Sequence, residues 1–399
     1  MGAPAVTDAP APPFSLAAAV AAAAPHDTVR VPAGVHREGL VTIDRPLTLL
    51  GAPGAVLDGE GRSGLLLVAA DSVTVTGLTF RNTGTTFADD RAALQVESAR
   101  FCTLSENLFE DTFFGIYLAN SGDCRIESNT LTASGARETS SGNGIHLWYS
   151  TRVVIRDNVI RGHRDGIYFE FVESSEVTDN LSEGNLRYGL HFMFSDDCAY
   201  RRNRFALNGA GVAVMYTQGV VMEANDFDDN RGSAAFGLLM KDITDSRIEG
   251  NRFRHNTVGI HAEGLNRVEV RGNDFIQNGW AIQLMANSNG SRFEGNNFVG
   301  NTFDLATNSR RAWSGFAGNY WDRYTGYDLD RDGSGDVPFQ PVRLFSLLVE
   351  QNEPALVLER SFLVDLLDLA ESVIPLLTPK NLEDDTPALT PVATRWSGA

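Results

Sequence analysis

The stretch GIHLWYSTRVVIRDNVIRGHRDGIYFEF (residues 144–171) decides the fold. Apolar residues alternate over short runs, as in Gly-Ile-His-Leu-Trp (144–148) and Val-Val-Ile-Arg-Asp (153–157), and Asn and Gly stand between the runs. This pattern is typical of short β-strands joined by tight bends. It begins again 22 residues later, at Gly166.

Three columns of residues recur in one phase along the chain. The first is the Asn of an Asn-x-apolar triplet, with successive steps of 22, 29, 22, 23, 22, 26, 22, 23 and 23 residues. The second is an Asn five residues later, and the third is the Gly of Gly-apolar-x-apolar. The first column comprises Asn107, Asn129, Asn158, Asn180, Asn203, Asn225, Asn251, Asn273, Asn296 and Asn319.

This repeat predicts an all-β chain that folds as a right-handed parallel β-helix, a solenoid of coils of about 22 residues. Leucine-rich repeats share the period, but they need a helical stretch in each repeat, which is not evident here. Asn side chains stacked at one corner can bridge neighbouring coils through their amides, so we interpret the Asn columns as structural. The long steps place insertions at 134–143 and 228–235.

The composition changes at both ends of the repeat. We expect an N-terminal segment with a capping helix (1–30), the β-helix (31–318), an acidic loop region (319–343), and a C-terminal helix with a Pro/Thr-rich tail (344–399). Residues 354–374 have an amphipathic helical pattern that would suit docking on a partner. Its apolar stripe comprises Leu356, Leu363, Leu366, Leu367 and Ile374.

Charge and hydropathy exclude several functions. The 399 residues carry 33 Lys and Arg against 51 Asp and Glu, a net charge of −18. Such a chain is poorly suited to nucleic acid or anionic lipid, so we expect no nucleic-acid partner. No apolar run reaches the length of about 20 residues that spans a bilayer, which predicts no transmembrane segment.

Strand alternation predicts which side chains point outward. In the Gly-apolar-x-apolar-x segment, the third and fifth residues face away from the core and collect His and Met. Imidazole and thioether are ligands for a soft metal such as Cu(I). The alternative is an apolar face covered by a loop or partner. The copper candidates are His191, Met193, Met215, His146, His261 and Met285.

An acidic loop follows the repeat. Asp328, Asp330, Asp332, Ser334 and Asp336 have the spacing of a Ca²⁺-binding loop, with Gly333 at the sharp turn. The twelfth position, which carries Glu in an EF-hand, is occupied by Phe, and no flanking helices are evident. We expect either a structural Ca²⁺ site or a solvated loop of Asx-turns.

Two further groups of residues have chemical potential. Cys102 and Cys124 fall in neighbouring coils. They could form a disulfide or remain as thiols stacked in the core. The acid pair Asp196-Asp197 and the segment 162–165 could serve a carbohydrate-active enzyme, such as a lyase, epimerase or hydrolase. However, His163 occupies a corner column, and the net charge repels polyuronates. No enzymatic function is therefore our expectation.

Several motifs resemble those of a known family. Asn319-Tyr-Trp-Asp322, the acidic loop up to Pro338, and the opening Asp27-Thr-Val-Arg-Val-Pro-Ala-Gly34 are similar to NosD-type β-helix proteins. The segment Ala370-Glu-Ser-Val-Ile-Pro375 strengthens the resemblance, which covers roughly residues 14–390.

The resemblance implies a periplasmic protein that works with the membrane subunit and ATPase of an ABC transporter. It implies a role with a membrane-anchored copper chaperone in the maturation of the nitrous oxide reductase copper site, and thus in denitrification. The resemblance does not indicate which residues bind copper. A metal-free scaffold that binds the chaperone or the reductase remains the alternative.

Overall fold

A parallel β-solenoid of about 12 coils forms the body of the protein. The computed structural model describes residues 14–85, 91–135, 137–232, 235–285, 287–308, 313–358, 361–362, 364, 366–367 and 382–397. Within these residues, successive strands of the chain belong in turn to three parallel sheets, here A, B and C. The predicted all-β solenoid is confirmed.

Sheets A and B contain 13 strands each among the described residues. The strands of sheet A are Thr28–Val31, Thr48–Gly51, Thr74–Thr76, Thr103–Ser105, Arg125–Glu127, Val154–Arg156, Glu176–Thr178, Ala199–Arg201, Val221–Glu223, Arg247–Glu249, Glu269–Arg271, Asn289–Glu294 and Trp313–Ala317. The strands of sheet B are Gly34–His36, Ala55–Asp58, Thr79–Arg81, Leu108–Glu110, Thr130–Thr132, Val159–Arg161, Leu181–Glu183, Arg204–Ala206, Asp226–Asp228, Arg252–Arg254, Asp274–Ile276, Asn297–Val299 and Tyr320–Trp321.

Sheet C contains 12 described strands and carries the predicted outward His and Met residues. Its middle strands are the longest of the solenoid, up to nine residues. The strands of sheet C are Val41–Ile43, Leu66–Val68, Ala92–Glu97, Phe114–Ala119, Ile145–Trp148, Asp165–Glu170, Tyr188–Met193, Ala210–Gln218, Phe236–Thr244, Val258–Glu263, Trp280–Leu284 and Phe303–Ala306.

The Asn columns are hydrogen-bonded ladders inside the solenoid. Asn203 is typical, since its Oδ1 accepts from the backbone N of Asn180 at 2.9 Å and its Nδ2 donates to Asn225 Oδ1 at 3.0 Å. Its Nδ2 also donates to the carbonyl of Val177 at 2.9 Å. Each amide thus satisfies buried groups of its neighbours, which an apolar residue could not do.

The inward side chains stack from coil to coil. Phe227, Phe253, Phe275 and Phe298 form a run of nearly parallel rings that ends on Trp321. The cysteines Cys102, Cys124 and Cys198 are buried free thiols in this core. Burial raises the pKa of Cys198 to about 12, so this thiol is protonated at neutral pH.

Helices lie at both ends of the chain. Helix α1 (Leu16–Ala22) buries Leu16 and Val20 against the first coils. A 3₁₀ helix, Glu138–Ser140, lies in the first insertion. Helix α2 spans Leu344–Gln351 and is followed by a 3₁₀ helix, Glu353–Leu358.

Only part of the helix predicted over 354–374 lies within the described residues, and its first turn, up to Leu358, is 3₁₀ instead of α-helical. Asn352, with φ −150° and ψ 81°, leaves helical geometry and ends α2. Pro354 lacks a backbone N–H to continue the α-helical ladder, and the turn that follows is 3₁₀.

Candidate copper site

The pairing register of sheet C aligns two outward columns into one surface, here called the His/Met face. One column contains His191 and the other contains Met193. Parallel neighbours in a sheet lie about 4.8 Å apart. The first column is Tyr117, His146, Tyr168, His191, Ala213, Leu239, His261 and Gln283, and the second is Ala119, Trp148, Glu170, Met193, Met215, Lys241, Glu263 and Met285.

Three of the six copper candidates lie together in the middle of this face. Met193 and Met215 are direct register partners, and His191 lies two residues before Met193 on the same side of its strand. Both methionines are half-buried. The hydroxyl of Tyr168 donates a hydrogen bond to Met193 Sδ at 3.7 Å.

His191 is held in an unusual environment. The residue is only 5 % exposed because the rings of Tyr168 and Tyr188 pack on it, with centroids 4.9 and 4.8 Å from its own. Neither ring nitrogen has a hydrogen-bond partner, but Nδ1 lies 3.9 Å from the Asp165 carboxylate. The imidazole therefore turns one nitrogen towards a carboxylate and leaves Nε2 buried and unsatisfied.

Asp165 places a buried negative charge beside His191. Its carboxylate is fully buried and accepts a bidentate pair of hydrogen bonds from Arg187, from Nε at 2.8 Å and from Nη2. Burial raises the pKa of Asp165, but the hydrogen bonds and the charge of Arg187 outweigh it, so that its pKa is lowered overall. Asp165 is thus an anion with a fixed orientation.

His146 lies on the same face but apart from this group. The Tyr168 ring stands between it and His191, with ring centroids 4.7 Å from His146 and 4.9 Å from His191. Two coils separate the imidazoles, so they cannot bind one ion. Burial, with the nearby Arg164 charge, lowers the pKa of His146 to about 3. Its ring is therefore neutral at physiological pH.

His261 and Met285 lie farther along the same face, three and four coils beyond His191. His261 Nδ1 donates to Gln283 Oε1 at 2.8 Å. Its ring lines a cavity of about 630 Å³ closed by Val349 of α2 and by Leu356. Met285, expected to face outward, is only 7 % exposed.

The acidic loop brings its first three carboxylates together. Oxygens of Asp328, Asp330 and Asp332 lie within 4.8 Å of one another. Asp328 accepts hydrogen bonds from the backbone N of Gly333 at 3.0 Å and Asp332 at 3.3 Å. The Asp332 charge raises the pKa of Asp330. Of the remaining candidates, Asp336 accepts from Leu329 N at 2.6 Å, and Ser334 N donates to Asp332.

The predicted partner-docking leucines are divided between two environments. Leu367 packs against a cluster of Phe303, Phe345, Val349 and Val364, which joins the C-terminal region to its own solenoid. Leu356 borders the cavity described above, whereas Leu366 is exposed. Leu363 and Ile374 lie outside the described residues.

The residues that could have served a carbohydrate-active enzyme form hydrogen bonds with the next coil at the turns in which they lie. Asp196 Oδ1 accepts from Thr217 Oγ1 at 3.1 Å and from Gln218 N at 3.0 Å. His163 is fully buried at the head of the second Asn ladder, where its backbone N donates to Asn185 Oδ1. They are not brought together as an acid–base pair.

Alternation at the third and fifth positions did not identify Asp165, Arg187 and Tyr188 as members of this face. Asp165 and Tyr188 precede the repeat Gly, and the register pairs them with each other. Both side chains lie beside His191, with the Tyr188 ring centroid 4.8 Å from its ring and the Asp165 carboxylate 3.9 Å from Nδ1, so this position also belongs to the His/Met face. The residue before each Gly is therefore the signal that could have found them.

Comparison with known proteins decides the family. A family model described as "Periplasmic copper-binding protein (NosD)" matches residues 132–326. A protein of Pseudomonas aeruginosa named "Probable ABC transporter binding protein NosD" is 30% identical over 372 residues, covering 88% of this chain and 86% of the relative. The chain belongs to the NosD family. A NosD relative of the same name from Stutzerimonas stutzeri is 28% identical over 382 residues, covering 90% of this chain and 86% of its own.

NosD membership confirms the predicted family and places the chain in the periplasm. None of the helices in the described residues is long and apolar enough to cross a membrane. The relatives are named as binding proteins.

Solved structures share the NosD solenoid without sharing a function. An exopolygalacturonase of Yersinia enterocolitica superposes with a TM-score of 0.59 at 12% identity, covering 77% of this chain and 75% of its own. The adhesin PfbA of Streptococcus pneumoniae superposes with a TM-score of 0.58 at 12% identity, covering 71% of this chain and 85% of its own. These likenesses show the fold alone.

Proposed function

We propose that this chain is a non-enzymatic copper-handling subunit of an ABC transporter complex, and that Cu(I) is carried on the His/Met face by His191, Met193 and Met215. The observation that carries the proposal is His191 Nε2, a buried ring nitrogen with no partner, beside two half-buried methionines in register. A buried nitrogen without a hydrogen bond is costly unless a ligand satisfies it.

The three side chains match the chemistry of this cargo. Thioether sulfur and neutral imidazole are soft or borderline donors that favour Cu(I) over Ca²⁺ or Mg²⁺. Because no thiolate is involved, the ion would remain exchangeable. The partial exposure of Met193 and Met215 leaves their sulfurs accessible to a donor or acceptor protein.

Asp165 and Arg187 would act as positioning residues. A metal-binding His commonly directs its other ring nitrogen to a carboxylate, which fixes the tautomer and the ring orientation. His191 Nδ1 faces Asp165 in this way, and Arg187 holds the carboxylate in place. The lone pair of Nε2 is then free for the metal.

His146, His261 and Met285 do not belong to this ligand set. Their separation along the coils makes them candidates for other steps of copper transfer, with His146 already neutral because burial keeps its pKa at about 3. We propose the transporter's membrane subunit and ATPase, the membrane-anchored copper chaperone and nitrous oxide reductase as partners. The relatives' names support association with an ABC transporter, and the description of the family supports copper binding.

Anaerobic Cu(I) competition binding tests the site. We expect sub-micromolar binding by the wild type, its loss in the triple variant His191→Ala/Met193→Ala/Met215→Ala, and its retention in His261→Ala/Met285→Ala. X-ray absorption of the copper-loaded wild type should show sulfur and nitrogen neighbours.

Equal binding by wild type and triple variant would place the copper elsewhere. Absence of binding in both would favour the metal-free scaffold, in which the face binds the chaperone or the reductase. Turnover of alginate or pectin that is lost in Asp196→Ala would instead indicate a carbohydrate-active enzyme.

A further inference from the structure

We propose that four aromatic rings beside the His/Met face form a docking surface for a protein segment that carries apolar and basic side chains. This aromatic ladder comprises Tyr149, Phe171, Phe194 and Tyr216, one from each of four successive coils. Each ring directly follows a residue of the Met column, so the ladder runs alongside Met193 and Met215.

The four rings are stacked and open to solvent. Their centroids are 4.6, 5.2 and 5.2 Å apart, with interplanar angles of 18°, 10° and 14°. Their exposed fractions are 50%, 36%, 42% and 41%. A contiguous apolar strip of this kind on a soluble surface marks an interaction site more often than a scattered exposed residue does.

The backbone shows that these rings are retained at a cost. All four residues have φ between 45° and 55°, in the left-handed region that bulky side chains disfavour. In the coils on either side, the same corner position is filled by residues that suit this conformation or by a small polar one. These are Ser98, Asn120, Asp242 and Gly264. Folding alone would favour Asn or Gly throughout the column.

Ring orientation selects the class of partner. The rings stack on one another along the solenoid, so the faces of the inner two, Phe171 and Phe194, are already covered. Ring edges are what these two offer to a ligand. Sugars and nucleobases stack on ring faces, whereas ring edges and the grooves between them suit aliphatic and thioether side chains.

Charge around the ladder selects the partner further. Four acids lie within three residues of Phe171 or Phe194 along the chain, and among the described residues none of them forms an ion pair: Glu170, Glu173, Asp196 and Asp197. Arg152, three residues after Tyr149, forms an ion pair with Asp123 at 2.6 Å. Lys or Arg side chains of a docked segment would complement these carboxylates. The proposal holds whether or not Met193 and Met215 bind copper.

A fluorescent peptide of alternating Leu and Lys provides the probe, measured by anisotropy on the full chain. We expect the double variant Phe171→Asn/Phe194→Asn to bind it about tenfold more weakly than the wild type, a loss of about 1.4 kcal/mol. A Ser/Lys peptide of equal charge should bind less well than Leu/Lys, and a Leu/Glu peptide should not bind.

The matched control is Phe101→Asn. Phe101 is also an exposed ring with positive φ, but it lies in the column of Arg152, three residues beyond the ladder column, and is not part of the ladder. Both Asn variants relieve the same strain and should raise the urea midpoint, while only the double variant should lose peptide binding. This combination separates a lost surface from a damaged fold.

Several outcomes would overturn the proposal. Equal peptide affinity in the wild type and the double variant would mean that general attraction to a chain of charge −18 explains the binding. Binding of cellotetraose, lost in the double variant, would indicate a carbohydrate surface instead. A lower urea midpoint in the double variant would show that the rings are retained for stability.

Discussion

A single buried residue, Asp384, supplies the hydrogen-bond acceptor for polar groups at the end of the solenoid. The Asn ladder ends at Asp384, whose Oδ2 accepts from Asn319 N at 3.0 Å, from Asn319 Nδ2 at 2.9 Å and from Trp321 Nε1 at 3.1 Å. Asp384 thereby satisfies the donors that the last coil would otherwise leave buried without partners. A residue 65 positions along the chain completes the repeat.

Asp304 is a buried acid without such compensation, and it should make stability depend on pH. Burial raises its pKa from 3.8 to about 6, with Asn301 Nδ2 donating a hydrogen bond at 3.3 Å. Because the folded state holds the proton more tightly than the unfolded state, the stabilisation is complete below pH 3.8 and is lost as the pH rises through about 6.

We therefore expect Asp304→Asn to match the wild type near pH 4 and to be more stable at pH 8. The difference between 3.8 and about 6 corresponds to about 3 kcal/mol, which sets the scale of the gain. Urea unfolding at the two pH values measures it, with the exposed Asp385→Asn as control. A gain that is equal at both pH values would contradict the assignment.

The loops and helices at the ends depend on contacts outside themselves. Helix α1 has only seven residues, too short to be stable alone. Glu38, from beyond the first strands, accepts from Leu16 N at 2.5 Å and Ala17 N at 3.0 Å, while Ser15 Oγ caps Ala18 N. Burial raises the pKa of Glu38, but these backbone hydrogen bonds lower it overall.

The acidic loop allows a test of calcium binding. Phe339, which stands where an EF-hand carries its Glu, packs on Trp321 with centroids 5.3 Å apart and so serves the core. With three clustered carboxylates and no twelfth ligand, we expect weak Ca²⁺ binding, with a Kd of about 10⁻⁴ to 10⁻³ M.

Calorimetric titration of the wild type with Ca²⁺ should show this binding, and Asp332→Asn should abolish it. Asp385→Asn, which changes an acid outside the loop, should leave it unchanged. Absence of heat in the wild type, together with an unchanged melting temperature in Ca²⁺, would identify the loop as a set of solvated Asx-turns.

At the scale of the whole molecule, the C-terminal segment folds back along the solenoid. Val392 N donates to Asn297 Oδ1 at 2.8 Å, and Trp396 Nε1 donates to the carbonyl of Gly250 at 2.9 Å. The Arg252 guanidinium lies 4.4 Å from the Trp396 ring centroid. Truncation at residue 354 would therefore remove Asp384 and these contacts along with any partner-binding surface.

Point changes test transporter docking more cleanly. Phe362 and Leu366 are four residues apart and 79% and 49% exposed, on the side not occupied by Leu367. We expect Phe362→Glu/Leu366→Glu to lower co-purification with the transporter's membrane subunit while leaving the melting temperature unchanged. Leu329→Glu, at a residue 78% exposed in the acidic loop, is the control. Undiminished co-purification would place the docking surface elsewhere.

The sequence by itself determined the solenoid, its phase and the residues of its core. These follow from local periodicity, because each coil repeats the same strand and corner chemistry as the next. The same alternation predicted that His191, Met193 and Met215 share one face, and the register brings them together. Sequence motifs also indicated the NosD family.

Only the tertiary structure decided how coils differ from one another. The burial of His191 beside Asp165, the ring of Tyr168 between two histidines, and the left-handed backbone beneath four exposed aromatic residues depend on neighbours in adjacent coils. The return of Asp384 to the end of the ladder depends on a contact across 65 residues. Periodicity reports the average environment of a column, whereas binding chemistry arises where individual coils depart from it.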